Sequence, residues 1–211
     1  MVSKVYSIGG SIVRENLDSI EELAGALQGE EQVLVVTGAG DLSQHQDALE
    51  GLANKGERDL VGVKATRLNA QTLLTAMDAY PEVPETPEEI QVAAESGRDV
   101  VMGGMVPGYS TDAVAATAAE LLDAELYVAT TVDGVYTAHP EDPEAEKLDR
   151  VSHDRLMQIV GGDYEPGSYE LMDETAVKIA KRSSIPARIF EGSLENLKNP
   201  EDAPGTDVVP G

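Results

Sequence analysis

Residues 99–140, DVVMGGMVPGYSTDAVAATAAELLDAELYVATTVDGVYTAHP, constrain the fold more than any other part of the chain. An apolar run at Val100–Met102 breaks at Gly103 and Gly104, passes Pro107 and Gly108, and enters an alanine-rich stretch at Ser110 or Thr111. That order spells a buried strand, a tight loop and a helix start. Ser110 or Thr111 as N-cap with Asp112 in the first turn is ordinary helix chemistry. The unit then repeats: Leu126–Thr130 reads as a second strand, and Thr131–Tyr136 turns sharply at Asp133 and Gly134. Two such loops leaving one sheet open at the carboxyl ends of its strands, where open parallel sheets bind ligands.

The rest of the chain supplies the sheet and its cover. Val5–Ile8 is a short strand ending in Gly9, Gly10 and Ser11, where bare backbone brings N–H groups close to an oxyanion or makes a plain turn. Asp18–Gln28 has the spacing of an amphipathic helix, and Gln32–Thr37 is an apolar strand that opens into Gly38–Ala39–Gly40. Asp59–Val63 followed by Thr66–Met77 reads as a helix with Asp59 at its head, and His45 before it as a solvated side chain. Thr86, Pro87 and Glu89 form a capping box with a first-position proline, starting a helix that runs to Gly97. Glu141–Asp149 is charged and proline-containing, read as a mobile cover. Ser152 opens a helix ending at Gly161–Gly162, Gly167–Ser168 precede another over Asp173–Ser184, Ala187–Phe190 is a strand, Ser193 caps a terminal helix, and residues 205–210 close the chain as a strand. The expected fold is α/β: a three-layer αβα sandwich with a mainly parallel central sheet, in a single domain over residues 1–211.

Acidic residues outnumber basic ones 39 to 15, a formal charge of −24, and cysteine is absent. A field of that sign repels nucleic acid and anionic membranes, so neither is expected as a partner. No apolar run is long enough to span a bilayer, and the reading is a cytoplasmic protein. The carboxylate excess resembles proteins of salt-loving cells, where screening removes the self-repulsion. An anionic ligand must then be held by local donors, by helix N-termini and by Mg²⁺.

The ordered run from Met102 to Pro140 resembles the amino acid kinase family, and most closely its archaeal-type uridylate kinase branch; the likeness extends from Ile8 to Val209. The resemblance implies a kinase passing the γ-phosphoryl group of ATP to UMP, with the acceptor lobe at about 1–122 and the ATP lobe at about 123–211. It places Gly9, Gly10, Ser11, Gly40, Gln44, Thr130, Tyr136 and His139 at ATP-binding positions. It places Gly38, Ala39, Asp59 and the loop Met105, Val106, Pro107, Gly108, Tyr109, Ser110 and Thr111 at UMP, with Asp59 on the ribose hydroxyls. Lys178 is assigned to the transferred phosphoryl group, its removal costing at least two orders of magnitude in turnover, and Asp133 to placing Mg²⁺ or that lysine. Read from its own surroundings, Lys178 is equally a surface residue beside Lys181 and Arg182. No metal ligand set is assigned to side chains.

Four positions depart from the family pattern. Ser7 stands where many relatives carry lysine, Ala39 where a middle glycine is usual, Gln44 where arginine is usual, and His139 where an acidic residue is common. Two alternatives therefore stay open: another acceptor, such as isopentenyl phosphate, carbamate or an amino acid, or a non-catalytic protein that binds nucleotides or oxyanions. The resemblance also implies a homo-oligomer, a hexamer by analogy.

Overall fold

The computed structural model describes residues 1–161 and 171–211. The boundaries expected at Gly162 and at Gly167–Ser168 lie outside them.

The strands are β1 (Lys4–Ile8), β2 (Val33–Thr37), β3 (Val100–Met102), β4 (Glu125–Thr130), β5 (Val135–Tyr136), β6 (Lys147–Leu148), β7 (Arg150–Ser152), β8 (Ala187–Glu191) and β9 (Gly205–Val209). Among the described residues they make a seven-stranded sheet in the order β3-β2-β1-β4-β8-β9-β7 and a separate ribbon of β5 and β6. From β3 to β8 the pairing is parallel throughout, and only β9 runs antiparallel to its neighbour β8. From β1 the chain steps outward to β2 and β3, then crosses back to β4 on the other side of β1. That reversal is the switch point at which an open sheet leaves a crevice at its carboxyl ends.

The helices are α1 (Gly10–Glu15), α2 (Ile20–Leu27), α3 (Gln44–Asp47), α4 (Lys55–Ala76), α5 (Pro87–Glu95), α6 (Thr111–Leu122), α7 (His153–Val160), α8 (Glu174–Arg182) and α9 (Leu194–Lys198). Alternation along the strands divides the core in two. Val5, Leu34, Val36, Val100, Met102, Leu126 and Val128 meet α5, α6, α7 and α8 on one face. Tyr6, Ile8, Val33, Val35, Val101, Tyr127 and Ala129 meet α1, α2, α4 and α9 on the other. Period-two side-chain alternation thus gives a sheet covered on both sides. Helix α6 is alanine-rich because it lies deep: Ala113, Val114, Ala115, Ala116, Ala118 and Ala119 are all fully buried, and it packs on β1, β2, β4, α5 and α8.

Several boundaries differ from the sequence expectation. The stretch after Gly9 is already helical, so the first glycine loop is one residue long before α1 begins. Helix α4 is continuous and starts at Lys55, where Asn54 and Glu57 form a capping box that shared capping chemistry makes worth about 1 kcal/mol. Asp59 therefore sits in the second turn of α4 and not at its head. The start of α2 is preceded by a 3₁₀ turn over Leu17–Ser19. Residues 141–149 are not wholly a free cover, because Lys147 and Leu148 pair with Tyr136 and Val135. Among the described residues no helix is long and apolar enough to cross a membrane.

His153, the first residue of α7, is 2% exposed and donates from Nε2 to the Ile185 carbonyl at 2.8 Å. Burial, opposed by that bond and by Asp154, holds its pKa below the ordinary 6.5. The unfolded chain then takes up a proton that the folded chain refuses, so stability is complete above the ordinary histidine range and falls as pH drops through it. At fixed salt, the urea midpoint will be lower at pH 5.5 than at pH 7.5, and His153→Gln will flatten that difference. An unchanged slope in the variant removes His153 as its source.

Candidate active site

Two glycine loops meet backbone to backbone. At the end of β1, Gly9 donates to Ala129 of β4 at 3.3 Å, and at the end of β2, Gly38 donates to the Ile8 carbonyl at 2.9 Å. A Cβ added at Gly10 would lie 2.0 Å from the Gly40 nitrogen, and one at Gly38 would lie 2.7 Å from the Gly10 nitrogen. Gly40 has a φ of +56°, a conformation that a side chain rarely adopts. Helix α4 props this junction from below: Asn69 Nδ2 donates to the carbonyls of Gly38 at 2.7 Å and Ala39 at 3.2 Å, and Thr37 Oγ1 donates to Thr66 at 2.8 Å.

Above the junction lies a cleft of about 680 Å³. Its wall takes Gly9, Gly10 and Ser11 from the first loop, Gly38, Ala39, Gly40 and Ser43 from the second, Ser110–Asp112 from the start of α6, Thr130 and Thr131 from the end of β4, and Leu171–Asp173 before α8. Of the residues expected at ATP, the structure brings Gly9, Gly10, Ser11, Gly40 and Thr130 together here; of those expected at UMP, it brings Gly38, Ala39, Ser110 and Thr111. Ser110 caps α6 by accepting from Ala113 N–H at 3.0 Å, so the positive end of a buried helix faces the cleft.

Among the described residues this wall carries no lysine or arginine, and its charged members are two carboxylates. Ser7, 2% exposed at the position expected for a family lysine, donates to Asp112 Oδ1 at 2.6 Å. Asp173 caps α8 through Thr175 N–H at 2.7 Å and Ala176 N–H at 3.1 Å, and accepts the Ser110 hydroxyl, joining the starts of α6 and α8. Sequence reading placed both aspartates in helix starts and missed that the two starts converge. Among the described residues no group of three or more histidine, cysteine or acidic side chains is arranged to hold a metal ion.

The loop after β3 stands beside the cleft. Gly104 N–H donates to Thr66 Oγ1 at 2.6 Å, and Arg67 donates to the carbonyls of Gly104 at 2.9 Å and Met105 at 3.1 Å while pairing with Glu85. Asp59 is brought to the same loop, accepting Gly108 N–H at 3.1 Å and Gln46 Nε2 at 2.9 Å. Val106, Pro107 and Tyr109 stay exposed. Thr66, Arg67 and Asn69 of α4 hold the site's loops, and sequence spacing alone did not mark them as site-building.

Asp133 accepts Tyr136 Oη at 2.7 Å and Lys147 Nζ at 3.0 Å. Partial burial pushes its carboxyl up, but those two bonds outweigh it and hold the group below the usual carboxylate range. Asp133 and Tyr136 do not line the cleft wall, and neither do Gln44, His139 and Lys178. Gln44 is exposed at the start of α3, and His139 Nδ1 accepts Glu141 N–H at 3.3 Å in the loop after β5. Lys178 points to solvent from α8, whose buried face is Ala176, Val177, Ile179 and Ala180, and its ammonium lies 2.8 Å from Glu174 one turn earlier. That exposed pair is worth about 0.3–0.5 kcal/mol.

Residues 3–191 match the family model described as "Amino acid kinase family". The chain is 43% identical over 205 residues to a uridylate kinase of Methanococcoides burtonii, covering 90% of this chain and 86% of that one. It is 36% identical over 222 residues to a uridylate kinase of Natronomonas pharaonis, covering 98% of each. The crystal structure of uridylate kinase from Archaeoglobus fulgidus superposes with a TM-score of 0.89 at 36% identity, over 99% of this chain and all of that one. A family-model match over residues 3–191 and likeness to these relatives along nearly the whole chain have one meaning: the chain belongs to the amino acid kinase family.

Proposed function

We propose that this protein transfers the γ-phosphoryl group of ATP to UMP, giving UDP and ADP. The observation that carries the reading is the backbone contact of Gly10 with Gly38–Gly40 beneath a cleft faced by the start of α6. Relatives named uridylate kinase at this identity and coverage support the choice of acceptor. Residues 1–122 carry the acceptor side and residues 123–211 the donor side.

A phosphate oxygen of UMP attacks the γ-phosphorus of ATP in line; the new P–O bond forms as the bond to the β,γ-bridging oxygen breaks, and ADP leaves. No covalent intermediate on the protein is required. The protein's part is positioning and charge stabilisation. Amides of the two glycine loops and the first turn of α6 donate to phosphate oxygens, while Asp59, with its remaining lone pairs, accepts the ribose hydroxyls. ATP arrives as its magnesium complex. Asp112 and Asp173 would supply oxygen donors to that Mg²⁺, directly or through water, and the ion would offset phosphate charge that, among the described residues, no lysine or arginine of the wall meets.

The cytoplasm, a high-salt interior suited to the −24 charge and a homo-oligomer complete the reading. Leu60 and Leu68, two turns apart on α4 and about half exposed, favour self-association; light scattering coupled to size exclusion reads its order.

A coupled ADP-release assay at high salt with UMP, CMP, isopentenyl phosphate and carbamate tests the acceptor. UMP will be the best; turnover with none of them replaces the kinase by a binding protein. Gly10→Ala, whose methyl has no room at 2.0 Å from Gly40, will lower kcat/KM at least 100-fold, and a near-normal rate removes the junction from the mechanism. Asp59→Asn will raise KM for UMP roughly tenfold with KM for ATP unchanged. Lys178, assigned to the transferred phosphoryl group, gives a further test: Lys178→Ala will cut turnover at least 100-fold while leaving folding intact, and an unchanged rate removes it from the mechanism.

A further inference from the structure

The cleft's donor-side rim is a short piece of chain with little to hold it. After β4 ends at Thr130, the turn 131–134 leads into β5, and the chain returns as β6 with Lys147 opposite Tyr136. A two-stranded ribbon is marginal on its own in water. Here it is pinned from β9: Val135 N–H donates to Thr206 Oγ1 at 2.8 Å, and Thr206 Oγ1 donates to the Leu148 carbonyl at 2.5 Å.

Lys147 then crosses back over the turn. A Cβ at Gly134, whose φ is +147°, would meet Thr206 Oγ1 at 2.6 Å and Lys147 Cε at 2.9 Å, so the bare glycine leaves room for both the pin from β9 and the lysine stem. Its ammonium reaches Asp133 Oδ2 at 3.0 Å with the lysine side chain only 24% exposed, while Tyr136 holds Oδ1. Both carboxylate oxygens are fixed from the ribbon. The segment so clamped begins with Thr130 and Thr131, which face the cleft. Residues that face the acceptor, Asp59 and Gly108, are tied elsewhere, to each other and to Gln46.

We infer that Lys147 is a positioning residue for the donor nucleotide: through its bond to Asp133 it holds the 131–134 turn in place as the donor wall of the cleft. This rests on the phosphotransferase reading above. With 15 basic side chains in the whole protein, a lysine turned inward at this rim is a considerable commitment of positive charge on the donor side.

The test compares the full-length parent with Lys147→Met, Lys147→Gln and Lys147→Arg in steady-state kinetics, and by calorimetric titration with a non-hydrolysable ATP analogue and Mg²⁺ in the absence of acceptor. Expected are a roughly tenfold rise in KM for ATP and in the analogue's dissociation constant for Lys147→Met and Lys147→Gln, KM for UMP within twofold of the parent, and recovery of at least half the loss in Lys147→Arg. In an Asp133→Asn background, Lys147→Met should add little further loss. Unchanged analogue binding, equal rises in both KM values, or full additivity with Asp133→Asn overturns the inference. Thermal melting of the nucleotide-free proteins separates misfolding, and Lys147→Arg, which keeps the charge, must bind the analogue if the positioning role holds. Failure of the parent to phosphorylate UMP sinks the functional reading alone, because the calorimetric arm judges Lys147 without an acceptor.

Discussion

The site depends on three peptide units that touch with nothing between them. Gly10, Gly38 and Gly40 bring the ends of β1 and β2 so close that any Cβ would overlap backbone, and the spacing of those strands in the sheet sets this closeness. Parallel neighbours are about 4.8 Å apart, so loops that leave them at the same level must share a narrow space. Glycine converts that crowding into a surface of amides. Asn69, reaching up from α4 to two of the carbonyls, takes the hydrogen bonds that the bent backbone would otherwise leave open.

Charge follows a different logic here from the usual phosphate site. The protein spends its few cations as clasps on its own carboxylates and carbonyls: Arg67 on Gly104, Met105 and Glu85, Arg182 on Glu120, Arg188 on Asp207, Lys147 on Asp133. The cleft wall is left to backbone donors and a helix end, which do not depend on ionisation and are weakly perturbed by the surrounding negative field. Ser7 fits this arrangement, since a buried hydroxyl bonded to Asp112 needs no counter-charge of its own.

How much of this was legible beforehand depended on the range of the interaction. Short apolar strands and the capping box of Thr86 with Glu89 are written in neighbouring residues and were read correctly, and the structure settles the start of α6, left between Ser110 and Thr111, on Ser110. The membership of Gly9, Gly10, Gly38, Gly40 and Thr111 in one cleft came from the family resemblance, not from local pattern. What local pattern could not supply was direction. Lys178 has four apolar neighbours in α8, Ala176, Val177, Ile179 and Ala180, that claim the inner face and leave its side chain exposed beside Glu174. Lys147 lies in a stretch of acidic residues and prolines that reads as a surface loop, and only the pairing of Tyr136 with it, across ten intervening residues, brings it to Asp133. Asp173 and Ser110 are 63 positions apart and meet because α6 and α8 pack side by side.

That last meeting has a mechanical side. The first residues of α6 and α8 belong to the two halves flanking the cleft, and each cap is hydrogen-bonded to its own helix as well as to the other. Parting the two helix starts would therefore cost the Ser110–Asp173 bond while leaving each helix its own cap.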